Sequence, residues 1–233
     1  MAIDDALVAE LASFTGELLH THPLIARARR GQISPSVVND YLTSILHLLR
    51  STPRLLDEAE RRARERGELL LARFFARKAN EERGHEHWAE HDIATLRSAY
   101  DLPPGQPRKA IIELVTWLER LVDTDPGSYV GYVFFAEYFT VLAGPECVRT
   151  LTEFCGIPRD ALTAVSHHVE LDQAHVAEAR IDIRRLFQGK ADAEARLLDA
   201  LRASECYFRK FVDELDRCAA AAEARCSTQS LPN

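Results

Sequence analysis

Much that would narrow the function is missing from this chain. No stretch approaches the ~20 uninterrupted apolar residues that a bilayer span requires, so no membrane partner is expected. The opening segment, MAIDDALVAELASF, is acidic and amphipathic, without the basic start and apolar middle of a secretory signal. The five cysteines (Cys147, Cys155, Cys206, Cys218, Cys226) are odd in number and lack any C-x-x-C spacing. They read as reduced thiols of a cytoplasmic protein, not as a disulfide or zinc framework. The net charge of −7 mixes Arg and Glu along the chain and offers no basic surface for nucleic acid. Clusters of Val, Ile, Thr and Tyr that would suggest strands are scarce.

What remains is helical. Runs of Ala, Leu, Glu and Arg dominate, and 46% apolar with 28% charged residues describes an ordinary globule. With 233 residues, one all-α domain of about seven to eight helices is the economical reading, spanning 1–226 and followed by a disordered tail at 227–233. The first amphipathic helix covers about 4–20 and ends at HTHP, because Pro23 disfavours a helical residue before it. The second opens at GQISPSVVNDYL, with Ser34 as cap and Pro35 in the first helical position. It runs to about 66, with Pro53 expected to kink or restart it. A third helix is expected over 67–99, then others near 107–122, 127–142, 145–155, 159–187 and 190–222.

Three of these helices carry chemistry. In SHHVELDQAH (166–175), a turn of about 100° per residue brings Asp172 and His175 within about 40° of His168, while Glu170 faces away. His168, Asp172 and His175 therefore share one face. In NEERGHEHWAEHD, Glu82 and His85 form E-x-x-H, a spacing that lets a carboxylate and an imidazole grip one metal. Glu81 is the geometric substitute for Glu82, and Asp92 is expected to hold the second ring nitrogen of His85. Glu137 is the one charge in SYVGYVFFAEYFTVLAG (128–144), and a buried carboxylate needs a cation or a metal as partner. Each cluster also has a plain reading as a solvated or salt-bridged face. Together they supply three carboxylates and three imidazoles, a set suited to iron or manganese and sufficient for two metals.

With those residues in place, the chain resembles the heme-oxygenase-like di-iron oxidases. The stretches that carry the resemblance are THPLIARARRGQISPSVVNDYL, LHLLRSTPRLLDEAERRA, NEERGHEHWAEHDIATL, VFFAEYFTVLAG and the H-x-x-x-D-x-x-H formed by His168, Asp172 and His175. The resemblance implies a single heme-oxygenase-like helical bundle. It implies a centre of two Fe(II) per chain, held by Glu82 (or Glu81), His85, Glu137, His168, Asp172 and His175, with O2 as co-substrate. The activities it implies are N-oxygenation, oxidative C–C cleavage or desaturation of a small amino- or carboxylate-bearing metabolite. A self-sacrificing route to 4-aminobenzoate matches least, because Leu24 and Cys147 stand near the places of the donor tyrosine and lysine.

On one stripe of the second helix, His47, Arg50 and Arg54 are the candidate contacts for a substrate carboxylate, against a surface salt-bridge reading. Lys78 either lines the site or pairs with Glu82 at i,i+4. A homodimer through the apolar second and last helices and an external reductant are both compatible with the sequence. The competing readings are a heme protein using His20 or His22, a hydrolase using Cys147, and a metal-free helical binding or regulatory module.

Overall fold

The structure, a computed structural model, describes residues 2–229, with side chains described through Ala224. Its helices are α1 (Ile3–Thr21), α2 (Pro23–Arg29), α3 (Pro35–Glu65), α4 (Leu69–Glu82), α5 (Glu86–Tyr100), α6 (Lys109–Thr124), α7 (Pro126–Glu153), α8 (Thr163–Phe187) and α9 (Ala193–Gln229). A 3-10 turn at Arg159–Ala161 leads into α8, and no strand occurs among the described residues. The fold is an all-α bundle. None of the helices among the described residues is long and apolar enough to cross a membrane.

The bundle is built around α7, whose residues 126–135 are all buried. A helix apolar on every side must be enclosed by others, and α8, α9, α1, α6 and α3 all pack on it. Small residues set the closest approaches. A Cβ on Gly131 would lie 2.5 Å from the Leu197 carbonyl oxygen, so the α7 and α9 backbones touch there. At Gly144 the added atom would lie 2.4 Å from Val169 Cγ2, on the α7–α8 side. Asp125 caps α7 by accepting from the Ser128 amide at 3.3 Å and hydroxyl at 2.5 Å.

The expected helices differ from the observed ones in four places. The stretch 67–99 is two helices, because Gly84 sits at φ +94° and ends α4 before α5 begins. The pair expected at 127–142 and 145–155 is one helix, which packing on α8 and α9 carries through Pro145. The second helix does not restart at Pro53: α3 is continuous, and the Ser51 and Thr52 hydroxyls donate back to the His47 and Leu48 carbonyls. The short α2 was not anticipated; the His22 side chain caps it by accepting from the Leu24 amide at 3.1 Å. Of the expected tail at 227–233, residues 227–229 belong to α9 and the rest lie outside the described residues. Cys147, Cys155, Cys206 and Cys218 are free thiols, and the Cys226 side chain lies outside the described ones.

An acid–arginine clamp fastens the start of α1 to α8. Asp4 is fully buried and accepts from Arg180 Nε at 2.7 Å and from Arg184 Nε at 2.5 Å. Burial alone would raise its carboxyl, but the bonds from Arg184 and Arg180 outweigh that and hold it below the usual range. A depressed acid stabilises the fold above its unfolded pKa of about 3.9, and that contribution is lost as pH falls through the folded value. Asp4→Asn should therefore cost about 2 kcal/mol at pH 7, with the gap to wild type narrowing in thermal melts as pH falls below the ordinary aspartate value of about 3.9. A pH-independent gap contradicts the clamp.

Candidate metal centre

The break between α4 and α5 shapes the site. Glu82 is the last residue of α4, and the glycine turn sets His85 at the start of α5, its Nδ1 3.3 Å from Glu82 Oε2. The Gly84 amide donates to Glu86 Oε2 at 3.0 Å, which fastens the turn. The His85 ring stacks on Trp88, with centroids 4.4 Å apart, and meets His168 edge-on at 4.9 Å.

His168 is held in one tautomer. Its Nδ1 donates to the Ala164 carbonyl at 2.7 Å, and a carbonyl can only accept. With the ring neutral, Nε2 keeps a free lone pair, and it is buried without a hydrogen-bond partner. His175 is oriented in the same manner by Asp172, whose Oδ1 lies 3.2 Å from its Nδ1. Glu137 comes from α7 and is buried, with neither oxygen in a directed hydrogen bond.

These side chains fall into two groups whose ligand atoms lie within 4.8 Å of one another: Glu82, His85 and His168, and Glu82, Glu137 and His175. Glu82 is common to both. Asp172 faces the same cavity but stands outside both groups, beside His175. Glu81 also stands outside both groups, its oxygens 2.8 Å from Arg77 and 2.9 Å from Lys78. Of the two neighbouring acids, Glu82 belongs to both groups, while Glu81 Oε2 approaches one histidine, His175 Nε2, at 4.0 Å.

The electrostatics match a place for positive charge. Burial pushes the Glu137 carboxyl up to about 7, against the pull of Lys78. Burial also acts to raise Glu82, but the bond to His85 and the charges of His168 and Lys78 leave it below its ordinary value. The His175 imidazole is raised by its bond to Asp172. Lys78, left open by the sequence, has no exposed surface, and its Nζ lies 2.6 Å from Glu137 Oε1.

Two expectations are overturned. Asp92 does not hold His85: its Oδ1 accepts from the Thr163 amide at 2.9 Å and hydroxyl at 2.5 Å, and its Oδ2 from the Ala164 amide at 2.8 Å. It caps α8 from α5. His47, Arg50 and Arg54 do not face the cavity, which meets a neighbouring stripe of α3 that includes Tyr41, Ile45, Leu48, Leu49 and Thr52. Arg50 pairs with Glu90 at 2.6 Å and Arg54 with Glu119 at 2.5 Å, both on the exposed side. Trp88, which packs against His85, His167 and His168, drew no attention in the sequence, where a lone Trp among charges has no spacing partner.

Beside these two groups lies a cavity of about 260 Å³. Lys78, Glu82, Glu137, His168 and Asp172 form its polar end, and the rest of its wall is almost wholly apolar, including Leu24, Ile45, Leu48, Phe139 and Phe208. Cys147 lines it too, but burial pushes that thiol up to about 11 despite its bond to Tyr41. A thiol so disfavoured as thiolate is a poor nucleophile. The heme reading fares no better. His20 is exposed, and both His22 nitrogens are engaged, by the Leu24 amide and by Asp213 at 3.0 Å.

Most of the backbone superposes on solved structures. A domain of unknown function with a heme oxygenase-like fold from Shewanella denitrificans OS217 matches with a TM-score of 0.75, covering 96% of this chain and 94% of that one at 17% identity. The chain has the heme-oxygenase-like fold. A CADD-like protein of unknown function from Nostoc punctiforme PCC 73102 shares it, with a TM-score of 0.67 over 91% of this chain and 97% of that one at 16% identity. The sequence matches no protein-family model and no curated protein. At such identities the likeness is one of heme-oxygenase-like architecture, and the chemistry has to be argued from the site.

Proposed function

We propose that this protein is a non-heme di-iron oxidoreductase that uses O2 to oxidise a small molecule with a largely apolar body, by N-oxygenation, C–C cleavage or desaturation. The observation that carries the reading is the set of buried polar atoms left without directed partners at one point. His168 Nε2 and Glu137 Oε2 are among them. Buried polar atoms are rarely left so, and an ion explains a converging set of acceptors better than chance does. Carboxylates mixed with imidazoles suit iron or manganese. Glu82, His85 and His168 would hold one ion, and Glu82, Glu137 and His175 the other.

Two Fe(II) ions held there would supply the reduction of O2. The chain's own part is positional. Glu82 ties the two groups together, the Ala164 carbonyl and Asp172 fix which ring nitrogens of His168 and His175 face inward, and Trp88 holds the His85 ring. The apolar wall excludes water and aligns the substrate with its reacting end toward the acids. No arginine lines the cavity, and its one lysine already faces Glu137 and Glu81. Apolar contact is therefore the main source of substrate affinity.

Fe(II)-loaded protein offered straight-chain carboxylic acids and amines of graded length should consume O2 faster as the chain lengthens. The rate should then fall once the molecule outgrows the cavity. Rates that ignore apolar length, with short polar amino acids alone accelerating O2 uptake, contradict the substrate class.

A further inference from the structure

The two groups that share Glu82 are not equivalent, and Lys78 makes the difference. Its side chain is entirely enclosed, an arrangement lysine adopts only when its charge is matched. It reaches from α4, one turn before Glu82, so that Nζ lies 2.6 Å from Glu137 Oε1 and 2.9 Å from Glu81 Oε2. Both contacts are of ion-pair length. Glu137 belongs only to the group with Glu82 and His175. The group of Glu82, His85 and His168 contains none of the carboxylate atoms that Lys78 contacts.

We propose that Lys78 is a built-in counter-cation for the second metal position, so that the two positions fill in order. The inference rests on the di-metal reading above. The first ion meets one carboxylate and two imidazoles, none of them in contact with the ammonium, whose charge reaches Glu82 only from a distance. The second must take a share of Glu137 from an ammonium that cannot withdraw to solvent, because the lysine is enclosed. Two cations drawn to one carboxylate repel each other strongly where water is excluded. In the metal-free chain the same ammonium keeps Glu137 and Glu81 from being buried unmatched. Lys78 is thus a positioning residue: it acts on the metal through Glu137.

Mn(II) reports occupancy directly, because an isolated ion gives a resolved paramagnetic resonance signal that coupling to a second ion abolishes. Titrated with Mn(II), the wild-type chain should first develop the isolated signal. It should lose that signal only at concentrations at least tenfold higher. Lys78→Met should bring the two steps together, with coupling below two equivalents. Lys78→Gln, which keeps a donor for both acids, serves if the methionine variant does not fold. Glu137→Gln should retain the first step and lose the second. Equal affinities in the wild type, or an unchanged gap in both lysine variants, overturn the inference and leave the di-metal reading standing. Absence of any Mn(II) or Fe(II) signal change in the wild type overturns both.

Discussion

Replacing Glu82 with glutamine should leave the chain folded and unable to hold two metal ions. Glu82 is the residue common to both groups, so the change removes an anionic donor from each position at once. Glutamine matches its shape, but the ionised carboxylate is favoured by its bond to His85, so the metal-free protein should lose about 1 kcal/mol of thermal stability. Outer partners of metal ligands are worth roughly 10–100-fold in affinity, and a shared ligand should exceed that. Iron content measured after anaerobic loading and desalting should fall below one per chain. Glu137→Gln is the natural comparison, because it touches one group only. If Glu82→Gln retains both ions while Glu137→Gln loses both, the shared-ligand geometry is wrong.

The second large effect is on stability. Asp92 is fully buried and its carboxylate accepts three hydrogen bonds from Thr163 and Ala164 at the start of α8. A charged acceptor at a helix N-terminus satisfies amides that the helix itself leaves open, and it complements the positive end of the helix dipole. Asp92→Ala should cost about 3 kcal/mol, which in a chain of this size lowers the melting temperature by roughly 6–12 °C. Asp92→Asn should lose less, since its amide oxygen still accepts. Neither change touches a metal-facing atom, so iron uptake measured in the cold should survive in both. A melting temperature within about 2 °C of wild type for Asp92→Ala would show that α5 and α8 are joined by something else.

The sequence carried the all-α architecture well, because helical periodicity and Pro35 in the first turn are local signals; Ser34 does sit at the N-cap, but its hydroxyl meets Ser36 Oγ and makes no capping bond. It also brought His168, Asp172 and His175 to one face, since that rests on helical geometry alone. What escaped it depended on neighbours. Gly84 inside a charged run reads as a tolerated glycine, yet its positive φ splits α4 from α5 and brings His85 to face Glu82 across a turn. Pro145 reads as a break, yet packing on α8 and α9 carries the helix through it. Arg50 and Arg54 do share a stripe, but spacing cannot say that the stripe looks outward to Glu90 and Glu119. Lys78 is the sharpest case. An i,i+4 partner of Glu82 on a surface and an enclosed ammonium against Glu137 have the same sequence. The cavity left no local trace either, since its wall is drawn from residues far apart in the chain.

The most direct test of the central claim is an anaerobic titration of metal-free protein with Fe(II), reading bound iron per chain and melting temperature together. Convergence of Glu82, His85, Glu137, His168 and His175 predicts uptake that saturates at two ions per chain. It also predicts a melting temperature that climbs with free Fe(II), because an ion binding only the folded state adds about 2.7 kcal/mol at a hundredfold excess over its Kd. No uptake, with a melting temperature that stays fixed as Fe(II) rises, would contradict it. The buried acids and histidines would then be a network of ion pairs around Lys78.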